Sequence, residues 1–118
     1  MSTNAQTYYE NNATAMKPVR AAMGDLLKGF SGLHQAAMKP GALTLAEKEL
    51  IALAIGLAVR CENCIYAHVQ AALNAGATRE QIVETAGVAV LMQGGPTYTY
   101  LPRVMEALEA IEARTATA

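Results

Sequence analysis

Three features of the 118-residue chain predict an all-α protein. Hydrophobic residues make up 53 % of it, yet Trp is absent and Phe occurs once, so the core falls to Ala, Leu, Ile, Val and Met. Aromatic residues are only 5 %, a poor composition for strands, which favour aromatic and β-branched side chains. Apolar residues recur at helical spacing between short breaks marked by Gly and Pro. The length suits one domain, here a bundle of about five to six helices.

Taken in order, Met1 to Asn12 is polar apart from Tyr8 and Tyr9 and reads as an arm or short helix, with the arm assigned to residues 1–15. After Pro18, the apolar positions Val19, Met23, Leu26, Leu27, Phe30 and Leu33 predict a helix, bent or interrupted by Gly24, Gly29 and Gly32. Lys39-Pro40-Gly41 is a break. Thr44 with Glu47 forms a capping box for a helix running to about Val59, expected to be buried on most sides. A further helix is expected from about Cys61 to Asn74, with Gly76 as its left-handed terminator. Thr78 and Gln81 cap the next one, which should end near Met92 before Gly94-Gly95. Pro96 fits the first position of a last helix to about Ala113, leaving residues 114–118 as a frayed tail. Residues 16–113 are thus read as one helical domain with short connections and antiparallel neighbours.

The formal net charge is −1 and the charges are dispersed, which leaves no footprint for nucleic acid and no polybasic membrane patch. The longest apolar run, Leu50 to Val59, is far short of the roughly 20 residues that span a bilayer. The polar start lacks the basic and apolar regions of a secretory leader, so a cytoplasmic location is expected. A small domain this apolar should leave hydrophobic helix faces uncovered, to be buried by association with its own copies.

The chemistry is expected at Cys61 and Cys64, the only cysteines, which Glu62 and Asn63 separate. Three residues make a little under one helical turn, so both sulfurs lie on one face within reach of a disulfide. The start of a helix favours negative charge, and the thiolate is the attacking species. His68 follows Cys64 by one turn on the same face, where an imidazole can take up or relay the thiol proton. Glu49 heads the long apolar run. If its helix packs antiparallel on the next, this acid is carried inward and needs a polar partner such as His68.

The string from Glu49 through Cys61, Cys64 and His68 resembles the signature of the carboxymuconolactone decarboxylase family in its alkylhydroperoxidase AhpD-like branch. The segments "PGALTLAEKELIALAIGLAVRC" and "CENCIYAH", the turn at Ala75 to Ala77 and "MQGGP" at Met92 to Pro96 are also similar, so the resemblance covers roughly Leu26 to Leu108. It implies an AhpD-like helical bundle assembling into trimers or hexamers. It also implies a peroxidase or disulfide-reductase activity on a small hydroperoxide, without metal or other cofactor, recharged by an external dithiol or redox protein. In that scheme Cys64 attacks the peroxide, Cys61 closes the disulfide and also donates a proton, and Glu49 and His68 belong to the proton relay. The better-studied members carry a histidine where this chain has Asn63, which neither accepts nor donates a proton at neutral pH.

Other readings compete. Both cysteines can serve as small buried hydrophobes, and Cys61, Cys64, His68 and Glu49 together number enough donors for zinc, although such sites usually draw on two separate knuckles. A lactone decarboxylase, needing no redox dithiol, is the alternative enzyme class, and a disulfide-exchanging adaptor is the non-enzymatic one. His34 is expected at the surface or an interface, the Met residues as core filler, and Tyr66, Tyr98 and Tyr100 in packing.

Overall fold

The computed structural model describes residues 1–117, and these form six long helices and one short helical turn, without a strand. The helices are α1 (Asn4–Ala22), α2 (Gly24–Met38), α3 (Leu45–Ala58), α4 (Glu62–Asn74), α5 (Arg79–Gln93), α6 (Gly95–Tyr98) and α7 (Leu101–Thr117). Three capping boxes open α1, α3 and α5, at Thr3 with Gln6, Thr44 with Glu47 and Thr78 with Gln81. In each the threonine oxygen accepts from a backbone N–H at 3.1 Å and the partner side chain accepts from the threonine N–H at 2.8 Å.

The N-terminal arm is in fact the first half of the longest helix. Thr3 caps it, and Tyr8 and Tyr9 reach inward against Tyr66, with ring centroids 5.6 and 6.3 Å apart. Pro18 lies inside α1 instead of opening a helix, and the chain breaks later, at Met23 (φ −133°, ψ 39°). The helix expected after Pro18 is therefore the end of α1 followed by α2. At the other end, the helix expected from Pro96 is divided. Pro102 falls in the first turn of α7, where its missing N–H costs no helical hydrogen bond and its ring meets no carbonyl of a preceding turn of the same helix. Residues 114–117 of the expected tail continue α7, which extends to Thr117; Ala118 lies outside the described residues.

The core is formed by Leu53 and Leu57 of α3, Ile65, Tyr66 and Val69 of α4, Ile82 of α5, and Val104 and Leu108 of α7, with alanines letting the backbones approach. α4 is central, packed against both α3 and α7. α3 is not buried on most sides. Glu49, Leu53, Gly56 and Leu57 face inward, whereas Ile51, Ile55 and Val59 lie on the exposed side. α2 has no buried residue at all, and Leu26, Phe30 and Leu33 are about two-thirds exposed, at 66, 69 and 64 %. Its C-terminal end is tied to α3 by Lys48, whose Nζ donates to the carbonyls of Ala37 and Lys39 at 2.9 and 2.5 Å. No helix among the described residues is long and apolar enough to cross a membrane.

Burial raises the phenol pKa of Tyr9 above the ordinary value of about 10, with Tyr8 and Tyr66 adding to the rise. Its hydroxyl donates to the Tyr66 carbonyl at 2.6 Å, pinning α1 to α4. A raised folded-state pKa contributes stability that is complete below pH 10 and is lost as the pH climbs above it. Unfolding free energy is therefore expected to fall above about pH 10, and less steeply in Tyr9→Phe, as measured by circular dichroism alongside phenolate absorbance.

Candidate functional site

The cysteine pair is delivered by the turn between α3 and α4. Cys61 N–H donates to the Gly56 carbonyl at 3.0 Å and Arg60 N–H to that of Leu57 at 3.1 Å, the paired bonds of a Schellman ending. Arg60 occupies the left-handed position (φ 57°), the only non-glycine residue with positive φ among those described. Glycine would adopt this conformation without the Cβ clash. Arg60→Gly is expected to raise stability by about 1 kcal/mol in urea unfolding.

This turn sets Cys61 as the N-cap of α4, where its Sγ accepts from the Cys64 N–H at 3.2 Å. Cys61 and Cys64 are joined in a disulfide, with Cα atoms 5.2 Å apart. Both are half-buried, neither sealed in the core nor fully exposed, which departs from the reading of the pair as buried hydrophobes. The helix start directs unpaired N–H groups and the positive end of the helix dipole at these sulfurs, an environment that favours a thiolate once the bond is reduced.

Glu49 and His68 meet. The Nδ1–H of His68 donates to Oε1 of Glu49 at 2.7 Å, joining α3 to α4. A carboxylate can only accept, so this bond holds the proton on Nδ1 and leaves Nε2 as the basic nitrogen. Glu49 is 4 % exposed, and the side chain of His68 is 22 % exposed. The acid is thus buried with its partner supplied, and the imidazole keeps an edge toward solvent, on the helix that bears Cys64 one turn earlier.

Gly56 explains how α3 and α4 come so close here. A Cβ at this position would lie 3.0 Å from the Cys64 Cβ, tighter than ordinary van der Waals contact. Gly56 near the end of α3 touches Cys64 near the start of α4, while Glu49 near the start of α3 meets His68 farther along α4. The two helices are therefore antiparallel, as expected from the short connection. On the opposite side of α4, Glu62 pairs with Nε of Arg103 at 3.2 Å, and Arg103 Nη1 donates to both carboxylate oxygens of Glu106 at 2.8 and 2.9 Å. Positions 62 and 64 are about 200° apart around the helix, so this clamp draws the Glu62 carboxylate away from the sulfur-bearing face.

All four residues singled out from the sequence thus lie along the α3–α4 contact, as two bonded pairs. Gly56, Arg60 and Arg103 were not singled out. Gly56 had one signal, a glycine in the middle of an apolar helical run; Arg103 had none, because α7 approaches α4 only through the tertiary fold. Asn63 is exposed and stands on the α1 side of α4, away from the Glu49–His68 bond. Among the described residues, no three His, Cys, Asp or Glu side chains converge closely enough to hold a metal ion.

Fold and site together define a helical CxxC protein with a Glu–His pair bridging the two helices that meet at the cysteine turn. The chain belongs to the carboxymuconolactone decarboxylase family, whose sequence profile matches residues 24–113. It is 43 % identical to a carboxymuconolactone decarboxylase family protein of Legionella pneumophila, whose crystal structure superposes with a TM-score of 0.81 over 95 % of this chain and 97 % of that one. A Thermotoga maritima member, for which a part in the antioxidative response has been suggested, is 29 % identical with a TM-score of 0.72, over 78 % of this chain and 95 % of its own. An uncharacterized Cupriavidus necator protein is 36 % identical over 87 residues, 74 % of this chain and 77 % of that protein.

Proposed function

We propose that the protein is a thiol-dependent peroxidase, an enzyme of the disulfide oxidoreductase kind. The Cys64 thiolate attacks the terminal oxygen of a hydroperoxide ROOH; the O–O bond breaks, Cys64 becomes a sulfenic acid, and the leaving alkoxide takes a proton to give ROH. Cys61 then attacks the sulfenic sulfur, the S–O bond breaks, and water leaves as the disulfide closes. An external dithiol returns two electrons and two protons. Nε2 of His68 takes the Cys64 thiol proton and gives it back to the leaving oxygen, while Glu49 steadies the imidazole through Nδ1. The observation that carries this reading is a cysteine pair at a helix start with the oriented imidazole one turn along the same helix.

The experiment follows hydroperoxide loss driven by dithiothreitol, with mass spectrometry of the Cys61–Cys64 peptide. Peroxide consumption with a reversible two-hydrogen mass change supports the peroxidase. Cycling of the disulfide without peroxide consumption would overturn it in favour of disulfide exchange, and turnover of a carboxylated lactone without either cysteine would favour a decarboxylase.

The working form proposed is a cytoplasmic homo-oligomer, a trimer or hexamer. Leu26, Phe30 and Leu33 on α2, Ile51 and Ile55 on α3 and Val59 at the C-cap of α3 are large apolar side chains left 47–69 % exposed, surface that association with copies of the chain would cover. Light scattering on the purified protein tests the assembly, and a monomer at micromolar concentration would overturn it.

A further inference from the structure

α2 is a helix of 15 residues without a buried side chain, joined to the rest of the chain through α1 and α3. Its large apolar residues follow a pattern all the same. Leu26, Phe30 and Leu33 fall at i, i+4 and i+7, the spacing of a helix that lays one face into a groove. Beside this stripe, the corner between α1 and α2 holds a hollow of about 630 Å³ lined by Phe30 and by three basic side chains, Arg20, Lys28 and His34, with no acid among its walls. None of the three has an acidic partner among the described residues.

A groove of the opposite charge runs beside α7. Two hollows of about 550 and 310 Å³ share Leu101 and Met105 and so form one continuous apolar surface, with Tyr98 lining the larger and Val83 the smaller. The charged residues on it are acids, Glu106 and Glu109. Arg103 serves both Glu62 and Glu106, which leaves that trio with one net negative charge, and Glu109 has no ion-pair partner among the described residues.

An apolar stripe with a basic flank and an apolar groove with an acidic flank are complementary in both respects. We propose that α2 of one copy docks in the α7 groove of a second copy, with Leu26, Phe30 and Leu33 against the apolar walls and Arg20, Lys28 and His34 facing Glu106 and Glu109. This names the interface of the homo-oligomer proposed above and rests on that reading. The contact joins two different surfaces, so each copy offers one of each and the contact repeats head to tail, closing into a ring where the rotation permits. Charge selects this pairing over α2 against α2, which would bring two basic flanks together.

The first test is Phe30→benzoylphenylalanine, a photo-crosslinking change at an exposed position, in a mixture of isotope-labelled and unlabelled full-length chains. Crosslinks from one copy to residues 98–109 of another support the docking. Crosslinks to α2 or α3 of another copy overturn it and leave the homo-oligomer standing. Light scattering gives the second readout, with circular dichroism as the check on folding. Glu109→Arg sets like charges together and should raise the dissociation constant of the assembly about tenfold or more, whereas Arg20→Glu/Lys28→Glu/Glu109→Arg exchanges the charges and should restore it. Unchanged assembly in the single variant, or no recovery in the triple one, overturns the pairing. A native chain that stays monomeric overturns the homo-oligomer reading with it, even if the chain sediments with anionic vesicles.

Discussion

Cys64→Ser is expected to abolish dithiol-driven hydroperoxide turnover, whereas Cys61→Ser is expected to retain a single turnover and then stop. A serine hydroxyl is not ionised at neutral pH and lacks the nucleophilicity of a thiolate, so the first S–O bond never forms. Without Cys61 the sulfenic acid still forms, but nothing in the chain resolves it. Rapid-mixing peroxide consumption separates the two: no burst for Cys64→Ser, one equivalent per subunit for Cys61→Ser. A full burst from Cys64→Ser would exchange the roles of the two cysteines. His68→Ala is expected to lower the rate by about 10²-fold, the lower end of the range for a positioned acid–base group. The same change strands a buried carboxylate at Glu49, at a cost of a few kcal/mol. Thermal melting must therefore accompany the kinetics, and Glu49→Gln, which keeps the shape without the charge, shows whether the acid itself matters to the rate.

A comparably large effect, on stability, is expected at Gly56. A bare Cβ already falls 3.0 Å from the Cys64 Cβ, so Gly56→Ala requires α4 to yield by a few tenths of an ångström. Valine adds two methyl groups against the same turn. Gly56→Val should destabilise the fold by about 1–3 kcal/mol, the usual range for overpacking, and lower peroxide turnover by moving the cysteine turn off α3. Gly87 provides the control, because its Cβ would meet nothing within 4 Å and it lies inside α5. Gly87→Ala is expected to stabilise by about 0.5–1 kcal/mol through helix propensity alone. Equal behaviour of the two glycines in urea unfolding would mean that the α3–α4 approach is not as close as it stands here.

The helices from Thr44 to Gln93 were legible because their signals are local. A threonine followed three residues later by Glu or Gln closes a capping box without help from the rest of the chain, and Gly76 supplies the left-handed residue that ends α4. Thr3 and Gln6 carry the same local signal for α1, a helix masked in the sequence by its polar composition and by Pro18. Proline is a weaker local signal: Pro102 sits in the first turn of α7, whereas Pro18 lies inside the unbroken α1.

For the site, the sequence by itself determined the spacing of Cys61, Cys64 and His68, because residues three and four apart on one helix share a face whatever surrounds them. That Glu49 meets His68 was a conditional inference, and only the packing of α3 against α4 settled it, through the missing side chain at Gly56 that allows the approach. Tertiary structure alone decided that Arg103 holds Glu62, that Tyr9 pins α1 to α4, and that Asn63 stands on the α1 side of α4. Those contacts join segments far apart in the chain, and local rules of capping, periodicity and spacing carry no information about which distant surfaces meet.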